Sequence, residues 1–192
     1  MPERPVMLFD EPGEQNTSAV IAAAKRRAGE LGIAEIVVAT TTGKTALATA
    51  RAFAGTGGQA VKVVGVTLQA GLWAKYAGPA PAVVREAVAE GVTFLTATHT
   101  LMGNVASCLR EKFGGITHTE LIAHVLYLFG QGMKVAVEVA VMAADAGLLR
   151  MDADVIAIAG TDTGADTAIV LKPAYSTNFF DLRVREVLAM PW

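Results

Sequence analysis

The segment TTTGKT stands at a position where a phosphate group could bind. It follows the apolar run EIVVA and leads into an amphipathic helix. The first turn of a helix has free backbone N–H groups and the positive end of the helix dipole, which together bind anions. Lys44 adds to this prediction, because a cation there opposes the dipole by about 0.3–1 kcal/mol unless an anion lies nearby. The predicted phosphate-binding residues are Thr40, Thr41, Thr42, Gly43, Lys44 and Thr45.

Two observations limit this prediction. The nucleotide-hydrolase loop GxxxxGK[ST] requires a glycine five residues before Gly43, where this chain has Val38. Without that glycine the backbone cannot curve around a di- or triphosphate, so we expect a single phosphate and no ATP or GTP hydrolysis. Threonines before a helix can also act only as helix caps, and the sequence leaves this alternative open.

A second loop, GTDTGADT, follows the buried run DVIAIA. Its glycines permit close backbone approach, and Asp162 and Asp166 are acceptors suited to sugar or polyol hydroxyls. Tight turns use the same residue types, so turn formation explains the loop equally well. The two carboxylates also resemble a catalytic pair or a magnesium site, but their spacing does not fix their separation.

Three further side chains are candidates for ligand contact. Trp73 and Tyr76 could stack on an aromatic ligand, or could equally anchor their loop or contact a partner subunit. His99 lies in the polar segment Thr98-His99-Thr100 and is the best placed of the histidines. With the second loop, the possible ligand contacts are Trp73, Tyr76, His99, Gly160, Asp162, Thr163 and Gly164.

The remaining reactive residues do not form a known catalytic or metal-binding pattern. His118 and His124 are six residues apart, which excludes an i, i+4 metal pair, and the catalytic residues remain unknown. We predict no metal site, because no cysteine lies near enough to complete one. Ser107 precedes Cys108 without the glycine-flanked turn of a serine hydrolase. The single cysteine excludes an internal disulfide and suits a reducing cytosol.

Composition restricts the partners. The formal net charge is −2 and the basic residues are scattered, which argues against a nucleic-acid-binding protein. Apolar residues make up 53% and charged residues 18%, against about 25% charged in an average domain. Much surface must therefore be buried, and we expect a homo-oligomer.

The chain shows no sign of membrane insertion or export. The long apolar tract 133–149 is interrupted by Lys134, Glu138 and Asp145, so we expect no membrane span. The N-terminal residues do not resemble a signal peptide, and we expect a cytoplasmic protein.

Strands alternate with helices along the chain. The tract 133–149 fits either a strand or a buried helix, and its length together with Gly147 favours a helix. We predict strands at 6–10, 35–40, 61–67, 92–97, 154–160, 167–172 and 184–190, and helices at 17–31, 44–54, 80–90, up to 112, and 119–129.

This order predicts a single domain, 1–192, with an α/β fold: a three-layer α/β/α sandwich around a mainly parallel mixed sheet. We expect the last two buried strands to form an antiparallel hairpin. The loops after parallel strands meet at one edge of a sheet, so the candidate residues would gather around one ligand there.

The order of several motifs resembles the C-terminal domain of pyruvate kinase. These motifs are GELG at 29–32, EIVVATTTGKTA, VKVVGVT, a helix that ends at GLL, and DADVIAIAGTDTGADTAIVLK. The resemblance is closer still to small stand-alone proteins that are built on this domain and occur mainly in archaea and some bacteria.

The resemblance implies a fold and a phosphate site. In many pyruvate kinases the turn that matches Thr40 to Thr45 holds a phosphate of a sugar bisphosphate effector. Pyruvate kinase activity is not implied, because that chemistry requires a (β/α)₈ barrel of about 250 residues. The tract 73–130 is longer than its counterpart in pyruvate kinase, so the rest of the ligand could differ.

Three functions remain open at this stage. The first is binding of a phosphorylated small molecule, with flavin mononucleotide (FMN) as the leading candidate and a sugar phosphate next. FMN has one phosphate, a polyol arm and an aromatic ring, which would match the threonine segment, the Asp162 loop and Trp73 or Tyr76. The second is an enzyme that uses Lys44 with His99 or Asp162 as acid and base. The third is an oligomeric scaffold without a ligand.

Overall fold

A computed structural model describes residues 4–55 and 60–192. The sequence indicates that the glycine-rich segment 55–58 ends the helix 44–54, and residues 56–58 lie outside the described residues. The strands are β1 (Met7–Phe9), β2 (Glu35–Ala39), β3 (Lys62–Thr67), β4 (Thr93–Thr96), β5 (Val155–Ala159), β6 (Thr167–Lys172) and β7 (Arg183–Pro191). The α-helices are α1 (Thr17–Leu31), α2 (Lys44–Phe53), α3 (Pro81–Ala89), α4 (Val105–Phe113), α5 (His118–Tyr127) and α6 (Gln131–Asp145).

The seven strands form one sheet in the order β1-β7-β6-β5-β2-β3-β4. The pairs β5–β2, β2–β3, β3–β4 and β1–β7 are parallel, whereas β6 is antiparallel to both of its neighbours. The predicted hairpin is confirmed, since Ala159 pairs with Thr167 across β5 and β6. Six strands therefore end at the same edge, which we call the carboxyl edge, and β6 begins there.

Helices cover both faces of the sheet and confirm the three-layer α/β/α fold. One core lies between the sheet and the face formed by α1, α2 and α3, with Val20, Leu47 and Ala87 among its residues. The other lies under α6, with Val137 and Ala140. Central strands such as β5 are buried on both faces, which explains their continuous apolar sequences.

The tract that fitted either a strand or a helix is the helix α6. Residues 136–144 are all buried, because α6 packs on β5 and β2 on one side and on α5 on the other. Gly147, at φ +69°, follows the helix end as predicted. The α6 N-terminus lies at the carboxyl edge, where a Cβ on Gly132 would come within 2.1 Å of Thr167 Oγ1.

A short 3₁₀ turn, Glu14–Asn16, leads into α1. The sequence favours Asn16 as the N-cap of α1, because asparagine is a preferred capping residue. Asn16 occupies that position, but its side chain makes no capping bond. Its Nδ2 instead donates to the Glu11 carbonyl (2.8 Å), because the 3₁₀ turn already shapes the helix entry.

Candidate functional site

The segment between β2 and α2 forms a tight bend at the carboxyl edge. Thr40 N donates to the Val66 carbonyl of the neighbouring strand (2.9 Å), which fixes the start of the bend. Thr40 Oγ1 then accepts a hydrogen bond from Gly43 N (3.2 Å). Gly43 has φ +99°, a conformation that glycine adopts without steric cost. The bend therefore uses one threonine hydroxyl for its own geometry.

The start of α3 supports this bend from outside. Ala80 N donates to the Thr42 carbonyl (3.0 Å). A Cβ on Gly43 would lie 3.3 Å from Val83 Cγ1 and 3.4 Å from Val84 Cγ2. Glycine at this position is thus required both by the backbone conformation and by the close approach of α3.

Several backbone donors at the start of α2 have no acceptor. The first α-helical bond runs from Leu47 N to the Gly43 carbonyl (2.9 Å). Within the described residues, no hydrogen bond pairs the amides of Thr41, Thr42, Lys44, Thr45 and Ala46, which we call the amide cup. Ala46 is 0% exposed, so bulk water does not reach it. Buried amides are almost always paired, and those of Thr45 and Ala46, which are buried, have no acceptor among the described residues.

The charge at this position is positive. Lys44 is the first residue of α2 and is exposed. It forms no salt bridge with any residue in 4–55 or 60–192. Thr45 and Thr49 are buried, and Thr49 Oγ1 donates to the Thr45 carbonyl (2.8 Å). The amides, the helix dipole and Lys44 together suit a small anion such as a phosphate group.

The loop after β5 differs from the bend 40–45, because the Asp166 carboxylate accepts hydrogen bonds from its N–H groups. Asp166 is 0% exposed. Its Oδ2 accepts from Gly13 N (3.1 Å) and Thr161 N (3.0 Å), and its Oδ1 accepts from Thr167 Oγ1 (2.8 Å). Asp166 therefore joins the loop to the segment before α1, and the turn-forming interpretation holds for this carboxylate.

The glycines of the same loop pack against the protein itself. A Cβ on Gly164 would lie 2.5 Å from Glu14 Cα, and one on Gly160 would lie 2.8 Å from Ala165 Cα. Asp162 and Thr163 are exposed, and Asp162 has φ +59°. These two residues remain accessible to a ligand, whereas both glycines are needed for close packing inside the protein.

Trp73 anchors its loop. Its Nε1 donates to the Leu68 carbonyl (2.8 Å), and its indole packs so closely on Gly78 that a Cβ there would lie 3.0 Å from the ring. Tyr76 is 63% exposed, and Lys75 Nζ lies 5.1 Å from its ring centroid. The structure thus favours the anchoring role for Trp73 and leaves the Tyr76 ring available.

His99 is held by a buried ion pair that the sequence did not identify as part of a site. Its Nδ1 lies 3.8 Å from Glu138 Oε2, and Lys134 Nζ is hydrogen-bonded to the same oxygen. Glu138 Oε1 accepts from Leu101 N (2.8 Å) and Met102 N (3.1 Å). Glu138 therefore fixes the loop after β4. The sequence feature that could have indicated this ion pair is a lysine and a glutamate four residues apart in an otherwise apolar tract.

Burial lowers the pKa of His99 below its usual value, and the Lys134 ammonium acts in the same direction. The Glu138 carboxylate and a hydrogen bond with the Thr67 backbone offset part of this change. His99 is therefore neutral at pH 7, and its contact with Glu138 is not an ion pair at that pH.

A cleft of about 510 Å³ opens between the loops after β3 and β4 and the start of α4. Its polar side chains are largely used within the protein. Gln69 accepts from His99 N (3.0 Å) and donates to the Gly103 carbonyl, while Asn104 Oδ1 caps α4 by accepting from Ala106 N (2.9 Å). The cleft is thus lined mainly by satisfied polar groups and small apolar ones.

The candidate residues share the carboxyl edge, as expected from the parallel strands. Thr67 pairs with Thr96 at the ends of β3 and β4, and their hydroxyls are 2.6 Å apart. Among the described residues, however, no hydrogen bond connects the amide cup directly to His99 or to the loop 160–166.

The described part of the chain offers neither a metal cluster nor a membrane-spanning helix. In the described part of the chain, no three side chains of His, Cys, Asp or Glu are grouped closely enough to bind a metal ion. No described helix has the length and apolar character needed to cross a lipid bilayer.

Comparison with known proteins gives a family match and distant structural matches. The family described as "Pyruvate kinase, alpha/beta domain" matches residues 18–171. Two crystal structures of pyruvate kinase from Cryptosporidium parvum are similar at 15% and 16% identity, with TM-scores of 0.42 and 0.41 over 82% and 85% of this chain. A third, in complex with ADP, has 17% identity and a TM-score of 0.39 over 88% of the chain. The chain covers 23–24% of the length of these enzymes.

Proposed function

This chain belongs to the pyruvate kinase alpha/beta domain family, and from that premise we propose that it binds a phosphorylated small molecule through the amide cup. The phosphate would be bound by the backbone N–H groups at the start of α2, with Lys44 balancing its charge. We expect no pyruvate kinase turnover.

The unpaired amides carry this proposal. The bend leaves five N–H groups unpaired together, and two of them, those of Thr45 and Ala46, belong to buried residues. A buried N–H group without an acceptor costs about 1–3 kcal/mol. A phosphate oxygen accepts several N–H donors at once, and the helix dipole favours its negative charge. Helix capping alone does not account for the geometry, because the Thr40 hydroxyl pairs with Gly43 N and leaves the helix amides free.

Each residue of the bend has a separate part in this proposal. The amides of Lys44 and Thr45 would donate to the phosphate oxygens, as at other helix starts. Gly43 permits the φ of +99° on which the bend depends, and a side chain there would meet Val83 of α3. The hydroxyls of Thr41 and Thr42, which are half-buried, would complete the contacts.

FMN and sugar phosphates share the phosphate monoester that the cup suits. FMN is our first candidate, because the exposed Tyr76 ring offers a stacking surface for its aromatic rings. When bound, FMN would supply flavin redox chemistry. Asp162 and Thr163 are the accessible groups of the loop 160–166 for a polyol or sugar hydroxyl.

Matched pairs of ligands test the proposal. FMN is compared with riboflavin, and fructose 1,6-bisphosphate with fructose, by thermal shift and isothermal titration. A phosphorylated ligand at one hundred times its Kd should raise the free energy of unfolding by about 2.7 kcal/mol, whereas its unphosphorylated partner should have little effect. If both members of every pair behave alike, the proposal is wrong.

Variants then locate the bound phosphate. Lys44→Ala should weaken binding of the phosphorylated ligand about tenfold, since it removes a charge contact of about 1.4 kcal/mol. Lys172→Ala is the matched control, because Lys172 is also exposed but lies at the other end of β6 from the carboxyl edge. Equal affinities of the two variants would place the ligand elsewhere.

A further inference from the structure

The hairpin formed by α4 and α5 exposes an unusual number of large apolar side chains. On α4, Val105, Leu109 and Phe113 follow one another at four-residue intervals, so they form one stripe. On α5, Leu121 and Val125 do the same. We call the following set the hairpin face: Val105, Leu109, Phe113, Ile116, Leu121, Val125, Leu128 and Phe129, each 51–81% exposed.

Polar contacts inside the hairpin join its two helices to each other. Ser107 Oγ donates to Glu120 Oε1 (2.7 Å), and Arg110 Nε lies 3.1 Å from the same oxygen. These hydrogen bonds and the Arg110 charge hold the pKa of Glu120 below its usual value. Among the described residues, neither apolar core includes a residue of α4.

Within the described chain α5 packs on α6, whereas α4 makes few contacts outside the hairpin. The helices α4 and α5 have 9 and 10 residues, and isolated helices shorter than about 12–15 residues are marginal in water. Helices in proteins are stabilised mostly by packing an apolar face. The hairpin face is the outward apolar surface of these helices and their ends, and each of its side chains is more than half exposed. Burial against another molecule would supply the missing contacts.

We propose that the hairpin face is a contact between two copies of this chain. The eight side chains together expose an area on the order of 900 Å², and a standard interface buries about 800 Å² per partner. One face of this size is therefore sufficient for a stable symmetric dimer.

The charges on the hairpin favour a second copy over a membrane. Residues 105–129 contain two cations, Arg110 and Lys112, and two anions, Glu111 and Glu120. A helix that binds a membrane surface normally has a polar face rich in Lys and Arg. A hairpin without net charge meets its own copy without electrostatic repulsion. This argument is independent of the phosphate site.

Sedimentation of the full chain over about 1–200 µM tests the proposal, since this range spans the Kd values of moderate dimers. The wild type should reach twice the 20.0 kDa of one chain at the upper concentrations. Leu109→Glu should raise the dissociation constant at least about tenfold, because it places an unpaired charge in the interface. A wild type that stays monomeric would overturn the proposal.

Val88→Glu is the matched control. Val88 lies on α3 and is 55% exposed, against 51% for Leu109, so the same change is made on an apolar residue outside the hairpin. Its dissociation constant should equal that of the wild type. Circular dichroism shows whether each variant is folded. Equal association of folded Leu109→Glu and wild type would contradict the proposal.

Hydrogen exchange of the wild type gives an answer that does not depend on any variant. Amides in residues 105–129 should exchange more slowly at about 200 µM than at about 1 µM, because association buries this surface. Protection confined to another region, or no difference, would show that copies of the chain do not meet here.

Discussion

Two loops at the carboxyl edge have similar residue types but differ in whether their N–H donors have acceptors within the chain. The bend 40–45 and the loop 160–166 both follow a buried parallel strand, and both are rich in threonine and glycine. In the loop, Asp166 accepts two backbone N–H groups and one hydroxyl. In the bend, the Thr40 hydroxyl accepts one N–H group and the others remain unpaired. The loop 160–166 is closed by its own acceptor, whereas the bend 40–45 leaves most of its N–H groups without an acceptor among the described residues.

The difference separates a loop whose donors are satisfied within the chain from one whose donors are free. Small residues allow tight turns in both, so residue type at the turn does not decide the outcome. The decisive feature is whether an acceptor within the chain is placed against the donors. The loop after β4 follows the same rule, since Glu138 of α6 accepts the amides of Leu101 and Met102. Only the bend presents a cation, Lys44, in place of a carboxylate.

The largest expected effect comes from removing the internal acceptor. Asp166→Asn should lower the free energy of unfolding by about 2–3 kcal/mol, because a donor group replaces an oxygen that faces buried N–H groups. Urea denaturation measures the change. Where the variant is folded, phosphate binding at the bend should persist, since the two loops are not joined by any described hydrogen bond.

Asp162→Asn is the matched control for this change. Asp162 is exposed, and asparagine tolerates its positive φ, so the free energy of unfolding should stay within about 0.5 kcal/mol of the wild type. Equal losses in the two variants would show that Asp166 is not the residue that closes the loop.

A smaller effect is expected when the bend itself is altered. Gly43→Ala should cost about 1–2 kcal/mol of stability, because alanine is strained at φ +99° and its Cβ would meet Val83. The thermal response to phosphorylated ligands should fall with it. The control is Gly29→Ala inside α1, where a Cβ meets no other atom within 4 Å and alanine should stabilise by about 0.5–1 kcal/mol. Unchanged ligand binding in Gly43→Ala would contradict the proposed site.

Much of the fold could be predicted from the sequence. Local patterns determine it: continuous β-branched runs gave β2, β3 and β5, and Gly32 and Gly147 end α1 and α6 as expected. The ambiguous tract 133–149 was assigned correctly as a helix from its length. The N-terminal boundary of α1 was placed correctly, although the expected side-chain bond of Asn16 does not form, because a 3₁₀ turn precedes the helix.

Less of the candidate site could be predicted, because it depends on contacts between distant segments. The bond from Gly13 to Asp166 spans 153 residues, and that from Leu101 to Glu138 spans 37. No local pattern shows which donors such carboxylates satisfy. The bend 40–45 was recognisable because its donors and its cation are adjacent in the chain. Whether a ligand binds there remains a prediction.

A pH titration of stability tests the burial of His99 in the loop after β4. The pKa of His99 is about 6.5 in the unfolded chain and lower in the folded one, because burial disfavours the charged ring. As the pH falls through 6.5, the unfolded chain takes up a proton that the folded chain does not. The free energy of unfolding should therefore decrease with falling pH until the folded pKa is reached, and be constant below it.

His99→Gln removes this contribution. The difference in stability between the wild type and His99→Gln should shrink as the pH falls from 7.5 to about 5, as measured by urea denaturation. His118→Gln is the control, because His118 is exposed at the start of α5. Parallel pH profiles of the wild type and His99→Gln would show that the His99 ring is not buried in this way.

The smallest expected effect is the change in stability caused by Lys44→Ala, and it tests most directly whether the bend 40–45 binds an anion. Without ligand, Lys44→Ala should raise the free energy of unfolding by about 0.3–1 kcal/mol, because the cation opposes the α2 dipole and forms no described salt bridge. With a saturating phosphorylated ligand the sign should reverse, since the variant loses more binding energy than it gains in the helix. Denaturation with and without ligand measures both values. A side chain kept for capping or solubility would give the same sign under both conditions, whereas one kept for an anion must give opposite signs.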